Sequence, residues 1–100
     1  MTFEFLYPAT REFEEAFDWY AHRSARAAEG FRAKVREAIQ RAMENPTSAG
    51  FPAGKRSRKI LLDPYRYGLV YFVHRDFLYV VAIAPNRKPP RYWVRRIKNA

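Results

Sequence analysis

The eight residues Phe77, Leu78, Tyr79, Val80, Val81, Ala82, Ile83 and Ala84 leave little freedom in how this chain can fold. Successive side chains of a strand point to opposite faces, and here both sets are apolar. The segment therefore reads as a central strand that must be covered on each side. One hundred residues form one domain, since a second core would have too little chain to close over itself. The cover must come from the rest of residues 1–100 or from a partner.

Two amphipathic helical runs supply one layer. Residues 2–7 read as a first strand, ended by Pro8. From Thr10, a candidate N-cap, a helix is signalled by Glu12, Glu14 and Glu15, acids that suit the positive end of the helix dipole. Phe13, Ala16, Phe17 and Tyr20 follow the spacing of one buried face, and His22, Arg23 and Arg26 give it a basic end. Ala28, Phe31, Val35, Ala38, Ile39 and Ala42 mark a second run, which stops near Asn45-Pro46 because a residue before proline avoids the helical region. Gly30 weakens its early part. Residues 46–54 read as a loop, followed by strands at about 56–62, 66–73 and 77–84. The short Arg75-Asp76 connection makes the last two antiparallel neighbours. The expected fold is α+β: an N-terminal strand, a two-helix hairpin, a three-stranded antiparallel meander and a basic C-terminal tail. The hairpin covers one face of the sheet; the other is left to the tail, residues 85–100, or to a partner.

Charge narrows the partners. The formal net charge is +9 with pI near 10.3. Residues 1–50 carry seven Lys/Arg and eight Asp/Glu, whereas residues 51–100 carry twelve Lys/Arg against Asp63 and Asp76 alone. The excess thus lies wholly in the second half, which points to nucleic acid, an acidic protein or a membrane surface; a merely soluble basic surface is the plainer alternative. No apolar stretch approaches a membrane span, and no basic n-region precedes Thr2-Phe3-Glu4-Phe5, so a cytoplasmic protein without a membrane partner is expected. With no cysteine, disulfides and thiolate metal sites are excluded.

The chemical candidates are few. His22 and His74 sit in no metal-ligand or triad pattern, and the four glycines form no phosphate loop, so neither metal nor cofactor is expected. Helix capping and solubility account for Glu12, Glu14, Glu15 and Asp18. What remains is basic and aromatic: Lys55, Arg56, Arg58, Lys59, Arg66, Arg87, Lys88, Arg91 and Tyr92. By period two, Arg56 and Arg58 would share one strand face, and Lys55 and Lys59 the other. Arg87 and Lys88, just past the last strand, would meet this group at one end of the sheet. Tyr92-Trp93 reads equally as a tail anchor on the open sheet face and as a base-stacking platform.

Two stretches carry a resemblance. Arg58-Lys59-Ile60-Leu61-Leu62 followed by Tyr67-Gly68-Leu69-Val70-Tyr71 resembles the "R-x-x-L-L … P-Y-G-L-I-Y" pattern of the RelE/ParE superfamily of type II toxins, the plasmid stabilisation type. The segment from Val81 to Trp93 resembles that superfamily's ending, "V-L-A-V-A-H-x-x-R-R-x-P-x-Y-W". Arg66 stands where the first pattern has proline, and Pro85 where the ending has histidine. The resemblance spans the chain and implies a single RelE/ParE-like toxin domain that arrests bacterial growth. A cognate acidic antitoxin would neutralise it by folding onto the basic sheet and hairpin groove. Two targets follow: DNA gyrase, inhibited without catalysis as by ParE, or mRNA cut on the ribosome as by RelE. Pro85 favours the first. For the second, Arg58, Arg66, Arg87 and Tyr92 would be catalytic. Lys55, Arg56, Lys59, Lys88, Arg91 and Trp93 would contact antitoxin or nucleic acid.

Overall fold

The computed structural model describes residues 1–97. Strand β1 (Thr2–Phe5) leads into helices α1 (Tyr7–Ala21) and α2 (Ala25–Glu44), then strands β2 (Phe51–Pro52), β3 (Arg58–Leu61), β4 (Tyr67–His74) and β5 (Phe77–Pro85), and a short 3-10 helix (Val94–Ile97). The sheet order is β1-β5-β4-β3-β2. The expected meander β3–β4–β5 forms with Arg75-Asp76 as its hairpin connection, and its outer edges gain two strands. β1 runs parallel to β5, and the two-residue β2 pairs antiparallel with β3 inside the segment read as a loop.

Helix α1 starts earlier than expected. Its N-cap is Leu6, with Pro8 in the first turn, so Thr10 lies inside the helix rather than capping it. Proline's fixed φ and missing N–H suit a first helical turn, which outweighs the capping signal. The C-terminal end behaves as its charges indicate. Arg23 Nη1 donates to the Trp19 carbonyl at 2.8 Å, and His22 Nδ1 lies 2.7 Å from that of Asp18. Arg26 instead belongs to the first turn of α2, which Ser24 caps by accepting from the Ala27 N–H at 3.1 Å.

Two cores sandwich the sheet. The helix side buries Phe31, Val35, Ala38, Ile39, Ile60, Leu69, Leu78, Val80 and Ile83. On the opposite face Val70, Phe72, Val81, Ala82 and Ala84 pack against Trp93 and Ile97. The tail therefore supplies the second cover that the β5 sequence demands. Trp93 is 2% exposed, an anchor rather than a stacking platform.

At Gly30 α2 makes room for Tyr65, whose hydroxyl donates to the Ala27 carbonyl at 3.1 Å and whose ring packs edge-on against Tyr20 and Phe31. A Cβ on Gly30 would overlap that hydroxyl. Gly30→Ala is therefore expected to destabilise by about 1 kcal/mol net, overpacking outweighing the better helix propensity of alanine. Urea denaturation checks this; a stabilised variant would show that Tyr65 moves aside at little cost.

Candidate functional site

The register of β4 against β5 slips between Val70 and Tyr71, so that Val81 is skipped in the ladder. Such a bulge locally re-aims the strand's hydrogen-bonding groups. Beyond it, where β1 has already ended, side chains take the place of a neighbouring strand. Glu12 Oε1 accepts from the Ile83 N–H at 3.0 Å, and Arg96 Nη1 donates to the Val81 carbonyl at 2.9 Å. These two residues also pair with each other: Arg96 Nη1 and Nη2 reach Oε1 and Oε2 of Glu12 at 2.9 and 3.0 Å. The Tyr92 hydroxyl donates to Oε2 at 2.6 Å. Glu12 thus ties α1, β5 and the tail together with four hydrogen bonds, in a setting only 15% exposed at its own side chain and 20% at that of Arg96.

This network redefines two residues. Glu12 is a largely buried structural carboxylate, not the capping or solubilising acid that a helix start at Thr10 implied. Burial first, then the hydrogen bond and negative charge of Glu12, hold the Tyr92 phenol protonated to well above the usual tyrosine range. A phenol so placed is far from the near-neutral pKa that suits proton transfer.

The basic residues separate into groups. Residues 54–56 form a bend in which Gly54 has φ +88°, so period two begins only at Arg58. The expected sharing of one face by Arg56 and Arg58 therefore does not occur. Arg56 lies over the ring of Phe72, on the face opposite the helices, and the Lys59 side chain lies across Gly68. Arg58, opposite Tyr71, turns toward the helix side, where its Nε and Nη2 donate to the Ala49 and Gly50 carbonyls at 2.7 and 3.2 Å. Arg58 thereby holds the chain between α2 and β2. Lys55 and Arg91 are exposed. Arg87 and Lys88 do not meet the 55–59 group, because the antiparallel register sets the end of β5 beside the start of β4 and the end of β3.

They meet Arg66 instead, where the Asn86 N–H donates to the Arg66 carbonyl at 3.0 Å. Arg66, Arg87 and Lys88 line one wall of a cleft of about 870 Å³, and Glu15, Trp19 and Tyr20 of α1 line the other. The ammonium of Lys88 lies 5.0 Å over the Tyr92 ring. Sequence reasoning missed Trp19: its helical position carried no binding signal, yet it is 51% exposed at this cleft. A second groove, about 610 Å³ and mainly apolar, lies between β1 and the helices. Phe3, Phe5, Phe13, Val35, Ile39 and Met43 line it, with Arg32 and Arg36 also on its wall.

Residues 3–98 match the family described as ParE toxin of type II toxin–antitoxin system, parDE. The chain belongs to the ParE toxin family. Its fold is similar to that of a solved structure described as the chromosomal ParDE TA system from P. aeruginosa. The TM-score is 0.73 at 15% sequence identity, covering 85% of this chain and 95% of that one. No curated protein sequence matches it. Among the described residues no cluster could hold a metal ion, and no helix is long and apolar enough to cross a membrane. Of the four carried-over positions, Arg66 and Arg87 line the cleft, Tyr92 contacts two of its lining residues, Glu12 and Lys88, and Arg58 donates to the Ala49 and Gly50 carbonyls.

Proposed function

We propose that this toxin arrests bacterial growth by inhibiting DNA gyrase as a binding protein, without catalysis, and that a cognate acidic antitoxin neutralises it. The engagement of Tyr92 by Glu12 carries this reading. Cleavage of RNA through the 2′-hydroxyl needs a base, an acid and a cation around one phosphate. Here the phenol donates to a largely buried carboxylate, Arg58 donates to backbone carbonyls, and Pro85 can neither give nor take a proton. The apolar groove beside Arg32 and Arg36 suits an amphipathic antitoxin segment with acidic flanks.

Expression of the toxin alone is expected to stop growth, with chromosomal DNA damage and intact mRNA, and co-expression of the antitoxin to restore it. Transcript sequencing and DNA-break assays on arrested cells check this. Arrest accompanied by codon-positioned mRNA cuts and undamaged DNA would replace the gyrase reading with the ribonuclease one.

A further inference from the structure

We infer that the cleft between α1 and the β4–β5 end of the sheet binds a single strand of DNA, phosphates on Arg66, Arg87 and Lys88 and a base against Trp19. Three features carry this. First, the three cations come from two chain segments, the turn before β4 and the tail after β5, and converge on one wall. All three are exposed, and none forms an ion pair among the described residues. Second, one of the two carboxylates on the opposite wall is compensated. Glu12 is paired with Arg96, which leaves Glu15 as the one lining carboxylate without such a partner among the described residues. Third, the wall facing the cations is aromatic. Trp19 is half exposed there, with the guanidinium of Arg23 stacked 3.6 Å from its ring centre, and Tyr20 and Tyr67 extend the surface inward.

Cations that track a phosphate chain beside an aromatic surface are the means by which proteins hold single strands without reading sequence. The volume favours that ligand over a duplex. About 870 Å³ is the size of a small-ligand cleft, open to a nucleotide or two but too small for a double helix, whose bases are in any case already stacked. An acidic peptide would satisfy the cations but not the aromatic wall. The inference deepens the gyrase reading and rests on it in one respect: a protein acting on the gyrase–DNA complex has DNA strands within reach.

The test is a titration of the purified full-length toxin with a dodecamer of deoxythymidylate, followed by tryptophan fluorescence and by anisotropy of labelled DNA. Trp93 is buried, so quenching should report Trp19 and vanish in Trp19→Phe while anisotropy still reports binding. Three phosphate contacts predict that log affinity falls with log salt at a slope of about −2, and at about −0.7 for Arg87→Gln/Lys88→Gln. That variant should bind at least 10-fold more weakly at low salt. Arg41→Gln/Arg75→Gln, which removes two charges away from the cleft, should bind within about 3-fold of the parent. Equal weakening by both double variants, or displacement of the DNA by polyglutamate at the same charge concentration, would overturn the proposal as non-specific electrostatics. A tenfold preference for the uridylate dodecamer would overturn the assignment to DNA. Supercoiling inhibition by the same preparations separates the two ideas. A toxin that inhibits gyrase but binds no strand sinks this inference alone. One that binds the strand but leaves gyrase untouched sinks the gyrase reading alone.

Discussion

Glu12→Ala should lower the stability of the toxin by about 3 kcal/mol, the largest effect expected of any single polar substitution in the chain. The mutation leaves the Arg96 guanidinium, the Tyr92 hydroxyl and the Ile83 N–H without their acceptor in a largely enclosed setting. Breaking a buried ion pair from one side is costly because the surviving charge stays desolvated. For a domain of this size the Tm should fall by roughly 10–20 °C. Glu12→Gln keeps an oxygen for Ile83 but loses the charge that holds Arg96, so it should lie between the parent and the alanine variant. Differential scanning calorimetry decides the matter, and a loss below about 1 kcal/mol for Glu12→Ala would show that water replaces the carboxylate freely.

Trp93→Ala is the second large effect, about 3–5 kcal/mol, because it removes the largest side chain covering the far face of the sheet. The ring packs in one buried cluster with Val70, Phe72, Val81 and Ala82, and a Cβ added at Gly54 would meet it at 3.4 Å, so little can collapse into its place. Chemical denaturation measures the loss. Glu12→Ala and Trp93→Ala free the same tail segment, one from the edge of β5 and the other from its face. Their combined effect should therefore be smaller than the sum, since the second substitution acts on a tail already loosened. Strict additivity would mean that residues 86–97 do not dock as a unit.

Much of this architecture is legible in local patterns. The buried positions Phe31, Val35, Ala38, Ile39 and Ala42 follow helical spacing, and β5 declares through its two apolar faces that it needs cover on both sides. What local pattern cannot carry is pairing at a distance. β1 reads as a strand, but nothing in Thr2–Phe5 announces a parallel partner some 75 residues away. β2 contains Pro52 and is two residues long, so its composition is that of a loop. The site divides along the same line. Arg66, Arg87 and Lys88 are visible as charges and do converge, because the antiparallel pairing sets the start of β4 beside the end of β5. Glu12 looks like any first-turn acid, since its partners at Ile83, Tyr92 and Arg96 lie 71 to 84 residues on. Arg58 looks like a surface cation because the loop it holds becomes visible only in three dimensions.

The most direct measurement is gyrase supercoiling of relaxed plasmid with purified toxin and no ribosomes. Supercoiling should fall with toxin concentration, linear plasmid should accumulate when the reaction is stopped with detergent, and stoichiometric antitoxin should abolish both. Tyr92→Phe should inhibit nearly as well as the parent, since no reaction step requires its proton. Full supercoiling at saturating toxin would contradict the account. So would ribosome-dependent mRNA cleavage that Tyr92→Phe slows by roughly 100-fold or more, the size expected for loss of a general acid or base.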